Sequence, residues 1–347
     1  MIVVVTGGAG FVGSHIAEYY AKQGHSVRVI DNLSRARLLG RDDVTFDFNW
    51  RYLSSIGNIK LIRGDVRELD ALIPFLKDAD VVFHTAAQTA VTTSLQDPVP
   101  DFTTNALGTF NVLEAARRSP KRPVFIYCST NKVYGSNVNH LGTVEREDRY
   151  EFPDDFRLGI PETFSTDLCD HTPYGCSKLA GDIYVQDYAE TFGLKAGVFR
   201  MSCIYGTRQF GLEDQGWLAW FGIATLLGKP IRIDGDGKQV RDVLYVSDLV
   251  DAFDKFLRSD LTHVVLNLGG GPDNAVPIMH VIELLHRMTG KRSPISYADW
   301  RPSDQKVFIS DIRKAKEVLN WQPKTSVEEG LGKMVEWIEA HQNVFAL

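Results

Sequence analysis

Cysteine is scarce in this chain of 347 residues: Cys128, Cys169, Cys176 and Cys203 are all there is, and no two form a CxxC pair. So few thiols at such spacing exclude a disulfide framework, and they read as buried or incidental side chains. Long apolar runs are lacking too, none approaching the roughly 18 residues of a membrane span. The opening MIVVVTGGAGFVG has neither the charged start nor the small-residue cleavage site of a signal peptide. The expectation is a cytoplasmic protein without a membrane partner. Excess positive charge is missing as well: 38 Lys and Arg stand against 44 Asp and Glu, a net charge of −6. No global field therefore draws in nucleic acid, and any anionic ligand must be held locally. Repeats and low-complexity tracts are absent.

What remains is an ordinary globular composition, 44% hydrophobic and 24% charged, long enough for two domains. Strand and helix signals alternate. Apolar β-branched runs at Ile2 to Thr6, Ser26 to Ile30, Ile59 to Ile62, Val81 to His84, Val124 to Cys128 and Ala196 to Met201 read as strands. Ser14 to Lys22, Thr103 to Arg117 and Tyr174 to Phe192 read as helices. This order predicts an α/β protein with a doubly wound parallel sheet and a second, smaller region. Val243 to Leu257 reads as a helix, and Val264 to Leu268 as a strand rejoining the first sheet. The expected division is 1–205 with 238–270 for one domain and 206–237 with 271–347 for the other. The acidic stretch 136–171 reads as a lid or a solvated insertion.

Gly7, Gly10 and Gly13 follow the first strand and open the first helix. Backbone amides at a helix N-terminus can there approach a pyrophosphate without obstruction by a Cβ. The spacing is GxxGxxG, not the GxGxxG of many dehydrogenases. Asp31, at the end of the second strand, can accept hydrogen bonds from an adenosine ribose and disfavour a 2′-phosphate, which points to NAD over NADP. Arg35 and Arg37 behind it could bind that phosphate or simply be solvated. Tyr174 and Lys178 form YxxxK, a spacing that puts both on one helix face, where an ammonium can lower a phenol's pKa for general-base work. Ser129 and Thr130 end the strand Val124 to Cys128 at the edge where ligands bind such sheets.

These residues, with TGGAGFVGSH, the TAAQ after His84, STNKVYG, YGCSK and GKQVRDVLYVSDL in order along most of the chain, resemble the extended short-chain dehydrogenase/reductase family. The resemblance implies a Rossmann fold, bound NAD and a nucleotide-sugar substrate. By motif position it implies that Gly7, Gly10, Phe11, Val12, Gly13, Asp31, Asn32, Asp65, Val66, Ala86, Tyr174 and Lys178 contact NAD. It gives Thr130, Tyr174 and Lys178 the proton chemistry, and places Ser129, Thr130, Asn131, Arg208, Arg241 and Arg301 around the substrate. Family members usually pair through helices, which implies a homodimer or tetramer, with the helices near Thr103 and Tyr174 as candidates.

Dehydratases of this family place an acid and a glutamate base directly after the catalytic Thr, where this chain has Asn131 and Lys132. An amide is no acid and a charged lysine a poor base, so elimination loses both agents and epimerisation remains. HTPYGCSK, RQFGLEDQGWLAWF and GKQVRD resemble family members acting at C2 of a CDP-linked dideoxyhexose. C4 of a UDP-hexose is the alternative, and an NAD-binding protein without turnover the other class. Arg241 and Arg301 match residues that clamp a diphosphate. For Arg241 a salt bridge, beside a helix cap by Asp242, is the structural reading. Trp217, Trp220 and Phe221 read as core, and His84 and His171, with no metal-ligand spacing, as structural.

Overall fold

In the computed structural model, residues 1–35, 47–213, 215–301 and 304–345 are described; Arg37 lies outside them. The chain divides into two compact units. One comprises 1–133, 172–200 and 250–266, the other 134–171, 201–249 and 267–347.

The first unit is built on seven strands: β1 (Ile2–Thr6), β2 (Ser26–Asp31), β3 (Ile59–Arg63), β4 (Val81–His84), β5 (Val124–Thr130), β6 (Ala196–Met201) and β7 (His263–Leu268). Their order is β7-β6-β5-β4-β1-β2-β3. β1 pairs in parallel with both β2 and β4, as do β2 with β3 and β4 with β5. Val3, Val4 and Val5 are fully buried, the pattern of a strand covered on both faces. The chain winds outward from β1 to β3 and then crosses to β4. The carboxyl ends of β1 and β4 thus flank the switch point where open α/β sheets bind ligands.

Helix α1 (Phe11–Lys22) starts at Gly10 with no side-chain cap and stops before Gly24, whose φ of 80° suits only glycine. Helix α2 (Gly108–Arg118) is preceded by a π-helical turn over Phe102–Leu107. Helix α3 (Thr172–Phe192) buries Tyr174, Lys178, Asp182, Val185 and Ala189 along one stripe, near the four-residue spacing of a single helix face. Val112, Leu113, Phe125, Tyr127, Val185 and Val198 join one apolar core.

The second unit holds two small sheets. Val240–Tyr245 is flanked by Ala275–Pro277, Val307–Phe308 and Cys203–Tyr205, and Ile231–Asp234 pairs in parallel with Ile295–Ala298. Helices Trp217–Leu227, Ile278–Thr289 and Val327–Ala340 pack on one another. Trp217 meets Phe221 edge-on at 5.4 Å between ring centroids. Residues 243–245 are strand, not the start of a helix as expected, because they pair with Cys203–Tyr205; helix α4 (Val246–Arg258) begins only beyond them. The stretch 136–171 packs within the second unit. Ile160 is fully buried and its carbonyl accepts the Asn267 side-chain amide at 2.8 Å. Among the described residues no helix is long and apolar enough to cross a membrane.

Candidate active site

The glycine loop is shaped by close approach. At Gly7, φ is 68° and a Cβ would stand 2.6 Å from the backbone of Ala86. At Gly13 a Cβ would meet the Gly7 carbonyl at 2.5 Å and the Gly8 Cα at 2.7 Å. Only glycine fits either place. The result is a tight turn after β1, with Gly10 at the N-cap and Phe11 and Val12 opening α1, whose first amides have no side-chain cap. Asp31, at the end of β2, braces this loop by accepting Ala9 N–H at 2.9 Å and Leu33 N–H at 2.8 Å. Burial pushes its carboxyl up while those two amides pull it down. Two bonds leave a carboxylate capacity for two hydroxyls. Asn32 donates to Asp65 at 2.9 Å, and the Arg67 guanidinium holds Asp65 down to about 2. Val66 packs where a side chain at Gly108 would intrude, and its carbonyl accepts from Asn111 at 3.1 Å. A cradle emptied of Cβ atoms, a helix start without a cap, and Asp31 with Asp65 at the neighbouring strand ends together fit a dinucleotide.

Around the end of β5 the structure brings together Thr130, Tyr174, Lys178 and Asn131. Gly181 lets α3 press on β5, since any Cβ there would collide with the Tyr127 hydroxyl. At this spacing Lys178 Nζ reaches the Cys128 carbonyl at 2.6 Å and lies 4.2 Å from the Tyr127 ring centroid. Tyr174 and Thr130 are hydrogen-bonded through their side chains. The Thr130 hydroxyl also donates to Asn131 Oδ1 at 3.2 Å and accepts Lys132 N–H at 3.3 Å. The depression of the phenol expected from the ammonium is outweighed by burial. Burial pushes Tyr174 up to about 12 against the pull of Thr130, with Asp101 adding to the rise. Burial also brings Lys178 down to about 8. The ammonium is turned toward Cys128 and Tyr127, and desolvation is the larger effect on both groups.

Ser129 has another occupation. It is fully buried and donates to Asp182 at 2.6 Å, and the Arg200 guanidinium pairs with the same carboxylate at 3.0 Å. Successive residues of a strand face opposite ways, so Thr130 and Ser129 cannot both meet Tyr174. Sequence reasoning missed Asp182, although it stands four residues past Lys178 on the same stripe. It also missed the lattice behind Tyr174. Gln88 Nε2 donates to Asp101 at 2.9 Å, Asn105 Nδ2 to Ser177 at 3.0 Å, and Ser177 Oγ to the Tyr174 carbonyl at 2.8 Å. His84 sits fully inside between the hydroxyls of Thr6 and Thr109, at 2.7 and 2.9 Å, and burial pushes it down to about 3. His171 lies beside the Cys169 carbonyl at 3.0 Å.

Arg208, Arg241 and Arg301 all belong to the second unit. Arg241 pairs with Asp304 at 2.9 Å and Arg301 with Asp234. Asp242 caps no helix; mid-strand, it accepts the Ser202 hydroxyl at 2.5 Å and Ser310 N–H at 3.0 Å. Arg208 is buried with φ 58°, a left-handed conformation uncommon outside glycine that accumulates at functional sites.

A phenol, a threonine hydroxyl and a lysine in the unit that holds a dinucleotide cradle are the groups of an enzyme that couples proton movement to hydride transfer. Residues 3–269 match the model of the NAD dependent epimerase/dehydratase family, and the chain belongs to that family. It is 40% identical to the CDP-paratose 2-epimerase of Salmonella typhi, over 97% of this chain and 99% of that protein. Among solved structures it is similar to UDP-glucose 4-epimerase with UDP-glucose from Thermotoga maritima, with TM-score 0.81 and 31% identity over 99% of this chain and 100% of the other. It is likewise similar to UDP-glucuronic acid 4-epimerase from Bacillus cereus in complex with UDP-glucuronic acid and NAD, with TM-score 0.80 and 28% identity over 98% and 100%.

Proposed function

We propose that the chain is an NAD-dependent isomerase that inverts C2 of a CDP-linked 3,6-dideoxyhexose, the change from CDP-paratose to CDP-tyvelose. The observation that carries the choice of C2 is the full-length 40% identity with the Salmonella typhi enzyme. The residues after Thr130 agree with it, because Asn131 and Lys132 supply neither the acid nor the base of a dehydratase.

Gly7, Gly10, Gly13, Phe11 and Val12 would hold the NAD pyrophosphate, Asp31 and Asn32 its adenosine ribose, and Asp65 and Val66 the adenine side of the cradle, with Ala86, against Gly7, a further NAD contact. When bound, NAD supplies the acceptor and donor of hydride at the sugar carbon and brings a positive charge to the site. The work of the chain is protonic and geometric. Tyr174, which would be phenolate once the positive charge of bound NAD offsets the burial that holds it protonated, takes the proton of the C2 hydroxyl as the carbonyl forms and returns it when the carbonyl is reduced. Thr130 shares that proton through the bond it already makes. Lys178, largely cationic below about pH 8, holds the nicotinamide ribose. Arg241 and Arg301 grip the diphosphate, exchanging their carboxylate partners Asp304 and Asp234 for a dianion, and Arg208 is a further substrate contact, while the 2-keto sugar turns over to expose its other face. Asn131 lines the sugar.

Leu95, Val99, Phe102, Leu107, Ile183 and Tyr184 are exposed on the helical segments between 91 and 107 and on α3. This apolar face supports pairing of two copies, which light scattering would detect as a doubled mass.

The test is CDP-paratose deuterated at C2. Product with inverted C2 and retained deuterium supports the reading, since hydride returns from the same cofactor. Exchange of deuterium with solvent means enolisation, and turnover of UDP-glucose in place of CDP sugars means a 4-epimerase.

A further inference from the structure

Trp300 is an indole held in place yet left open. It exposes 38% of its surface, although it sits in a closely built corner of the second unit. Gly235, in the turn after the strand Ile231–Asp234, carries the ring: φ there is 91°, and a Cβ would stand 2.9 Å from the indole Cδ2 and Cε2. Any other residue would push the ring away. Tyr150 meets it edge-on, with centroids 6.3 Å apart and planes at 61°. Tyr150 is itself buried and fixed by the bond from its hydroxyl to Asp236, at 2.6 Å. The Lys306 ammonium lies over both rings, 4.5 Å from the Tyr150 centroid and 5.5 Å from that of Trp300, on a flexible side chain that a stacked base would displace. Arg301 is the next residue in the chain, and its partner Asp234 immediately precedes Gly235.

We infer that Trp300 is the platform on which the base of the nucleoside diphosphate stacks, an inference that rests on the reading of Arg301 and Arg241 as diphosphate ligands. A held, part-exposed indole one residue from a guanidinium suits a ligand that is flat and apolar at one end and anionic at the other. Stacking accepts any base, because every base has a π-face. The platform therefore supplies affinity for nucleotides as a class, and selection of cytosine falls to hydrogen bonds at the ring edge. Gly235 serves the same purpose by letting the indole lie on the turn.

Calorimetric titration of the NAD-loaded protein with CDP, and separately with inorganic pyrophosphate, tests this. Trp300→Ala should weaken CDP by about tenfold to a hundredfold and leave pyrophosphate unchanged. Trp300→Phe, which keeps a ring, should stay within a few-fold of the parent. Unchanged CDP affinity in Trp300→Ala would overturn the inference, as would an equal loss of pyrophosphate, which would mean that Trp300 acts by holding Arg301. A parent protein that binds neither CDP nor UDP would remove the diphosphate reading and the platform with it. That outcome is distinct from a parent that binds CDP and a Trp300→Ala variant that binds it equally well.

Discussion

Replacing Tyr174 with Phe removes one oxygen from a side chain that is only 9% exposed and leaves the ring that packs there. The structural cost is that of one buried hydrogen bond, the one shared with Thr130. A neutral bond of this kind contributes about 1 kcal/mol. Thr130 keeps its contacts with Asn131 and Lys132, so no group is stranded. The melting temperature should fall by about 1–2 °C. Turnover should respond on another scale. A positioned acid–base group is worth about 10²–10⁴ in rate, which is about 2.7–5.4 kcal/mol of barrier. The assay is product formation from CDP-paratose followed by NMR, with NAD content measured after denaturation and melting followed by circular dichroism. Activity within tenfold of the parent would refute the assignment of the phenol. A melting temperature lowered by more than about 10 °C would refute the packing argument, because the loss would then be one of fold.

Asp31→Ala should lower the NAD carried through purification and narrow the preference over NADP by about tenfold to a hundredfold, as bonds to a charged acceptor are lost; NADP as the tighter ligand of the parent would sink the assignment. Stability should fall in acid. Asp65 and Glu114 are held down to about 2, by Arg67 and by Arg117 respectively, against ordinary values of 3.8 and 4.5. A carboxyl that is more acidic in the folded state contributes stability that is complete above its unfolded value and is lost as pH falls through 4 toward 2. Melting temperature against pH in Asp65→Asn and Glu114→Gln should fall less steeply over that range than in the parent.

Local sequence carried much of the first unit. The β-branched runs, the glycine spacing after Thr6 and the carboxylate ending β2 are signals readable within a few residues, and the YxxxK spacing alone puts Tyr174 and Lys178 on one helix face. The extent of β5 and the strand at 243–245 were less legible, because each depends on pairing with distant segments. Whether Val243 begins a helix is settled by Cys203–Tyr205 lying beside it. The glycine at 181 reads locally as a weak point in a helix, and only the position of Tyr127 shows that it lets α3 and β5 close together.

Sequence by itself determined the chemistry available: a phenol, a lysine and a threonine at fixed spacing, and no acid or base after Thr130. Tertiary structure alone decided how those groups are charged and aimed. Ser129 and Thr130 are neighbours with similar hydroxyls, but strand alternation turns one toward Asp182 and Arg200 and the other toward Tyr174. The charge state of the phenol does not follow from the YxxxK spacing, because burial is the larger effect at both residues and the ammonium faces the Cys128 carbonyl. The carboxylates that hold Arg241 and Arg301 come from Asp304 and Asp234, the latter far away in sequence from Arg301. Side-chain identity is local, whereas desolvation and pairing depend on what the folded chain places within a few ångströms, and so these were decided only when the chain closed on itself.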